Sequence, residues 1–266
     1  MPLSRTALLV AAYRARAGVD PFAAAMAGEE GRALADEQDR TYPHLELWTA
    51  VRTAYLDAHV RHWTGEGVDQ VVLLGAGLDT RAVRLAREGV RFFEVDQPDT
   101  QALKRERIGA LYPADVATYV ACDFERDDFV EGLRAAGLRP DRPALVLWEG
   151  VTPYLSEDAV RATLGRVAGG LEARSILLFD HLLKAQTTEG KPDTRRFVER
   201  LGEPVRFGTN DPVPMLYEAG FRQVRSLSFD EACLTVTGTY AREREFRFQR
   251  IVLCSVTRPE RLLLPL

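Results

Sequence analysis

A mostly parallel α/β sheet with helices on both faces is predicted for residues 67–266, behind a helical cap at residues 1–66. Three observations predict it. From Gln70 onward, short β-branched and aliphatic runs at 71–74, 90–95, 118–121, 144–147 and 175–179 alternate with helix-length stretches. Those runs are nearly continuously apolar, as strands buried on both faces are. Before Gln70 the pattern is different: Leu45, Trp48, Val51, Tyr55, Ala58 and His62 recur at spacings of three and four, a helix stripe that Gly65-Glu66-Gly67 ends.

The intervening helices are expected at 80–88, 100–111, 129–136 and 157–169. A further helix is expected at 213–219, followed by strands at 221–227 and 246–256 with clearer alternation. Their connection, 228–245, is expected to turn back without a crossover helix, so that the two strands close one edge of the sheet as an antiparallel pair. Residues 184–212 hold Gly190, Pro192, Gly202, Pro204, Gly208 and Pro212, and are expected to form a lid or insertion.

The 266 residues are 46% hydrophobic and 28% charged, enough to bury a substantial core. A net charge of −4 and a pI of about 5.7 give no footprint for nucleic acid or an anionic membrane. The apolar run at 7–13 is too short to span a bilayer. Cys122, Cys233 and Cys254 lack metal-ligand spacing, so free thiols, no metal site and a cytoplasmic location are expected.

The run Val71-Val72-Leu73-Leu74 leads into Gly75-Ala76-Gly77, a strand entering a turn where glycines let a ligand approach the backbone. About 20 residues beyond, the next strand ends at Asp96, placed to accept from ribose hydroxyls. A dinucleotide fingerprint would carry a third glycine at position 80 to admit pyrophosphate at a helix N-terminus. Here Asp79 and Thr80 stand instead. An acid at that point repels a diphosphate and suits a ligand bearing an ammonium and a sulfonium, which favours S-adenosylmethionine over NAD.

Four strings resemble the leucine carboxyl methyltransferase family, and its bacterial polyketide O-methyltransferase-like branch most closely. They are Gly75-Ala76-Gly77-Leu78-Asp79-Thr80-Arg81, Phe93-Glu94-Val95-Asp96-Gln97-Pro98, Cys122-Asp123-Phe124 and Trp148-Glu149-Gly150-Val151-Thr152-Pro153-Tyr154-Leu155. The resemblance implies a Rossmann-like class I methyltransferase fold, a seven-stranded, mostly parallel sheet with an antiparallel last strand. It implies that Asp96, with Gln97 beside it, holds the ribose, Asp123 and Phe124 the adenine, and Glu149 and Gly150 the methionine end. Arg52 resembles the arginine that pairs with the cofactor carboxylate, and Arg14 and Arg16 are both candidates for a further basic contact.

The expected reaction is methyl transfer from S-adenosylmethionine to a small-molecule carboxylate or phenolic hydroxyl. A carboxylate needs only a cation to place it, for which Arg81, Arg195 and Arg196 are candidates. A phenol, with a pKa around 10, gains from a base. His181, expected just past the fifth strand, is the candidate base, and Tyr154 a candidate wall of the transfer cavity. An NAD-dependent oxidoreductase and a catalytically idle interaction protein are the alternatives. The sequence does not specify the oligomeric state.

Overall fold

The computed structural model describes residues 4–112, 116–188, 199–239 and 248–257. Among these, three helices precede the sheet: α1 (Arg5–Arg16), α2 (Ala23–Asp39, broken at Gly28) and α3 (Leu45–Gly65). Strands β1 (Gln70–Leu74), β2 (Arg91–Asp96), β3 (Ala117–Ala121), β4 (Leu145–Trp148) and β5 (Ile176–Leu182) follow. They are separated by α4 (Arg81–Arg84), α5 (Pro98–Gly109), α6 (Phe129–Ala135) and α7 (Glu157–Gly170). The remainder comprises α8 (Ala185–Thr188), α9 (Val213–Ala219), β6 (Gln223–Ser228), α10 (Phe229–Thr237) and β7 (Gln249–Ser255).

The sheet has seven strands in the order β3-β2-β1-β4-β5-β7-β6. The first five pair in parallel, and β7 runs antiparallel between β5 and β6. This is the α/β Rossmann-like methyltransferase architecture, with its order turning back at β1 and β4, where open sheets place their ligand crevice.

Strand geometry sends alternate side chains to opposite faces, and both faces are covered. Val72, Leu74, Phe93, Val95 and Val146 pack beneath α6, α7 and α9 with Phe129, Leu133, Val160, Leu164 and Leu216. Their neighbours Val71, Leu73, Phe92, Leu145 and Leu147 face α3 and α10, meeting Trp48, Val51, Tyr55 and Phe229. A third cluster joins α1 and α2 to the sheet domain through Leu8, Tyr13, Met26, Leu78 and Ile108.

Three expectations are corrected. The 228–245 connection does contain a helix, α10, which starts at a capping box: Ser228 Oγ accepts from the Glu231 amide, and Glu231 reaches back to the Ser228 amide. The helix expected at 80–88 is reduced to α4, because the chain already leaves helical geometry at Leu85, with φ −114° and ψ 18°. Strand β5 continues to Leu182, so His181 lies inside it, paired in register with Arg250, and not past its end.

Beneath the β2 end lies a buried ion pair, Glu94 Oε2 to Lys104 Nζ at 2.5 Å, both side chains at most 3% exposed. Burial, only partly offset by Lys104, pushes the Glu94 carboxyl up to about 7. The folded state therefore holds the proton more tightly than the unfolded chain. Stability falls as pH rises from about 4.5 to about 7. Lys104→Met should cost about 1–3 kcal/mol at pH 8, where Glu94 would lose its counter-charge. At pH 5.5, where Glu94 is protonated in either protein, the cost should shrink. Urea unfolding at the two pH values checks this, and an equal cost at both would contradict it.

Candidate functional site

The carboxyl ends of β1 to β5 open into one cavity of about 640 Å³, roofed by α1, α3 and residues 202–206. Its floor is the turn after β1. Gly75 N–H donates to Val95 O at 2.7 Å and Ala76 N–H to the same oxygen at 3.2 Å, which ties the turn to β2. Gly75 sits at φ +66°, and a Cβ there would lie 2.3 Å from Val151 Cγ2. Both strain and a clash follow from any side chain. Gly75→Ala should lose about 1–3 kcal/mol of stability through the forced φ and the displaced Val151 turn. Thermal unfolding checks it; recovery in a Gly75→Ala/Val151→Ala double variant would show how much of the loss is the clash.

Asp96 closes β2. Its carboxylate accepts from the Gly77 amide at 2.5 Å and the Gln97 amide at 2.6 Å, so it braces the turn while lining the cavity. Burial raises its pKa from the ordinary value, against the two amides. Past β3, Asp123 accepts from the Glu125 amide at 3.0 Å, and Phe124 packs edge-tilted on Phe129 at 5.9 Å. Both line the cavity, as do Gln97 and Ala76.

Past β4, Glu149 gathers three guanidinium groups. Arg14 Nη2 and Arg52 Nε each lie 2.9 Å from Oε1, and Arg81 Nη1 lies 2.5 Å from Oε2. Burial alone would raise the Glu149 pKa; Arg14, Arg81 and Arg52 overcome it and hold the carboxyl well below its usual range. Arg52 spans further, donating to Asp180 Oδ2 at 2.8 Å and lying 5.5 Å over the Trp48 ring. Asp180, on β5, also accepts the Gly150 amide at 2.6 Å, which fixes the turn after β4. Leu45, Trp48, Thr49 and Arg52 reach the cavity together because spacings of three, one and three place them on one face of α3.

The structure separates the two N-terminal candidates. Arg14 is 6% exposed and lines the cavity, whereas Arg16 pairs with Asp36 and Asp39 at the surface. Asp79, Thr80 and Arg81 lie behind the cavity wall. Asp79 accepts the Arg81 amide at 2.7 Å and also pairs with the Arg81 guanidinium. Thr80 donates to Asp20 at 2.7 Å. Arg81 is wholly buried and donates to Asp57 at 2.6 Å, so it is built into the scaffold and does not reach the cavity as an acceptor-binding cation would. Arg195 and Arg196 lie outside the described residues.

Tyr154 lines the cavity from a single 3-10 turn, Thr152–Tyr154, and burial raises its pKa, so it stays a neutral phenol. His181 does not line the cavity. It is 1% exposed, its Nδ1 lies 3.0 Å from Leu182 O, and its Nε2 meets no partner among the described residues. Strand alternation explains this: Asp180 points at the cavity, so His181 points away from it. Asp180 went unread in the sequence, and the only signal was an acid in an otherwise apolar strand. Among the described residues no group of three His, Cys, Asp or Glu side chains is placed to hold a metal ion.

The family model for leucine carboxyl methyltransferase matches residues 5–168. A Streptomyces coelicolor protein, provisionally named an S-adenosyl-L-methionine-dependent methyltransferase, is 45% identical over 123 residues, 44% of this chain and 42% of that one. A Mycobacterium avium protein with the same provisional name is 40% identical over 178 residues, 58% of this chain and 56% of that one. The chain thus spans about half the length of the curated relatives it matches. Among solved structures, a DUF574-family protein from Streptomyces avermitilis superposes with a TM-score of 0.67 at 17% identity, covering 92% of this chain and 96% of that one. A structure from Thermobifida fusca reaches 0.63 at 19% identity, covering 92% and 93%. These two share the fold.

Proposed function

The chain belongs to the leucine carboxyl methyltransferase family, and from that premise we propose that it binds S-adenosylmethionine and transfers the methyl group to an oxygen of a small molecule, a carboxylate or a phenolic hydroxyl. The observation that carries the reading is the donor set around one cavity: Asp96 at the end of β2, Asp123 past β3, Glu149 past β4, and Arg14 and Arg52 above them. Acids at the first two positions suit ribose hydroxyls and an adenine amino group. Guanidinium forks suit a carboxylate, and Glu149 suits an ammonium.

The cofactor supplies an electrophilic methyl on a sulfonium; the protein binds, aligns and excludes water. Six carboxylates line the cavity (Asp96, Asp123, Glu125, Glu149, Asp180, Glu203) against four arginines (Arg14, Arg52, Arg126, Arg206) among the described residues. That excess favours a ligand carrying more positive than negative charge. A dinucleotide fits less well, because Asp79 occupies the amide at the start of α4 that a pyrophosphate would need.

No enzyme nucleophile is required, since the acceptor oxygen attacks directly and alignment supplies most of the acceleration. Tyr154, a phenol beside Arg52 and Asp180, is assigned to position the acceptor. Its neighbours in 202–206 are assigned the role of a lid. The three free, buried thiols suit a reducing compartment, and the proposal places the chain in the cytoplasm. No helix among the described residues is long and apolar enough to cross a membrane.

Incubation with S-adenosylmethionine labelled at the methyl group, against a panel of aromatic acids, phenols, aromatic amines and thiols, tests the reading. Label on an acceptor oxygen is the expected result. Transfer only to nitrogen or sulfur acceptors would overturn it.

A further inference from the structure

Two acids stand side by side where β4 and β5 reach the cavity. Trp148 and Phe179 pair in register, so Glu149 and Asp180 follow them as the next residues along neighbouring parallel segments. Their settings differ. Glu149 begins the turn after β4, whereas Asp180 stays inside β5 and pairs with Ile251 of β7 on its other side. Strand alternation puts Asp180 on the face of Leu178, toward α3, which carries Arg52. An acid on a paired strand is a firmer support than one on a turn.

Both side-chain oxygens of Asp180 are engaged. Oδ1 accepts the Gly150 amide at 2.6 Å, and Oδ2 accepts Arg52 Nη1 at 2.8 Å. Its main-chain oxygen accepts the Thr152 hydroxyl at 2.6 Å, which ties the same turn to β5 a second time. Arg52 is held in turn. It lies against the Trp48 ring and so close to Gly150 that a Cβ there would be 3.4 Å from Nη1. Burial works against the Arg52 charge, and Asp180, followed by Glu149, overcomes it. We propose that Asp180 is a positioning residue for the methionine end of the cofactor site: anchored by the Gly150 amide, it keeps the Arg52 guanidinium from folding onto Glu149 and so aims it at a ligand carboxylate. The inference rests on the S-adenosylmethionine reading and adds to it the residue that sets Arg52.

Charge and geometry predict opposite signs for the loss of Asp180. Neutralising it takes an anion away from beside Arg52, and on charge alone a carboxylate would then bind more tightly. Geometry argues the reverse. Glu149 Oε1 already lies 2.9 Å from Arg52 Nε, and a guanidinium released at Nη1 turns to pair bidentately with the nearest carboxylate. The fork would then be taken up by Glu149, and an incoming carboxylate would have to break that pair before it bound. Arg52 is 5% exposed, so little water is at hand to ease the exchange.

Calorimetric titration with three nucleosides reads that sign. S-adenosylhomocysteine carries an ammonium and a carboxylate, 5′-(3-aminopropylthio)adenosine the ammonium alone, and 5′-methylthioadenosine neither. Asp180→Asn should weaken S-adenosylhomocysteine about five- to thirtyfold and the other two by no more than about threefold. Arg52→Gln should weaken S-adenosylhomocysteine at least as much. Adding Asp180→Asn to Arg52→Gln should then move the ratio of S-adenosylhomocysteine to 5′-methylthioadenosine affinity by less than about threefold. The double variant removes both charges of the pair, so its comparison with Arg52→Gln still decides the inference if Asp180→Asn alone fails to fold. Tighter or unchanged S-adenosylhomocysteine binding in Asp180→Asn would overturn the inference, as would a further fall of the ratio in the double variant. An equal loss for the aminopropyl nucleoside would also overturn it, by making Asp180 the ammonium's own partner. A wild-type chain that bound none of the three would instead strike the cofactor reading, and the inference with it.

Discussion

Asp96→Ala should lower affinity for S-adenosylhomocysteine by about 100-fold or more. A carboxylate accepting from two ribose hydroxyls makes two charged hydrogen bonds, each worth about 1.5–3 kcal/mol. The same side chain braces the Gly77 and Gln97 amides, so alanine also loosens the turn that the ligand rests on. Asp96→Asn separates the two effects. An amide oxygen can still accept from Gly77, but the amide NH2 cannot accept from Gln97 and the charge is gone, so the variant should keep more stability than alanine and still lose much of the affinity. Calorimetry and thermal unfolding on both variants read the two quantities independently. Unchanged affinity in Asp96→Ala would refute the ribose assignment.

Arg81→Met should be the most destabilising single change at the site, at about 3–5 kcal/mol. Arg81 is 0% exposed and lies between Asp57, Asp79 and Glu149, three carboxylates brought by α3, the β1 turn and the β4 end. Methionine fills similar space but leaves those charges buried with fewer counter-charges. Arg84 and Arg14 compensate only in part, through Asp57 at 2.5 Å and Glu149 at 2.9 Å. Arg81→Lys should recover little, since one ammonium cannot reproduce a fork that serves three acids. The Asp79 carboxyl is held below its ordinary pKa by Arg81 and Arg14 against the pull of burial. The wild-type protein should therefore lose part of this stabilisation as pH falls below the ordinary carboxylate range, and Arg81→Met should flatten that acid limb. Urea unfolding from about pH 2 to pH 8 reads both effects; a loss under about 1 kcal/mol at pH 7 would contradict the assigned role.

The sheet was legible because burial on both faces leaves a local trace. Val71–Leu74 is apolar at every position, and that needs no knowledge of distant residues. The turn and the strand-end acids were legible for a related reason: a glycine pair after a strand and an acid at the next strand end are sequence-local. The misreadings share an opposite cause. Arg81 follows a ligand turn and looks available, but its burial is imposed by acids from three separate elements. Asp180 acquires its place through Arg52, 128 positions away. His181 is expected outside β5, and three further strand residues, Asp180 to Leu182, set it on the far face. Helix α10 was missed although Ser228 and Glu231 stand at capping-box spacing, because the alternation on either side of 228–245 suggested a plain reversal. Arg14 and Arg16 have the same chemistry two residues apart, and only the packing of α1 decides which one enters the cavity.

The central claim is that the strand-end acids and the arginines form a site for a sulfonium nucleoside and not for a dinucleotide. Isothermal titration of the chain with S-adenosylmethionine and, separately, with NAD measures this directly. One-to-one binding of S-adenosylmethionine at micromolar affinity, with no heat from NAD at the same concentrations, is the predicted result. Binding of NAD with none of S-adenosylmethionine would contradict it.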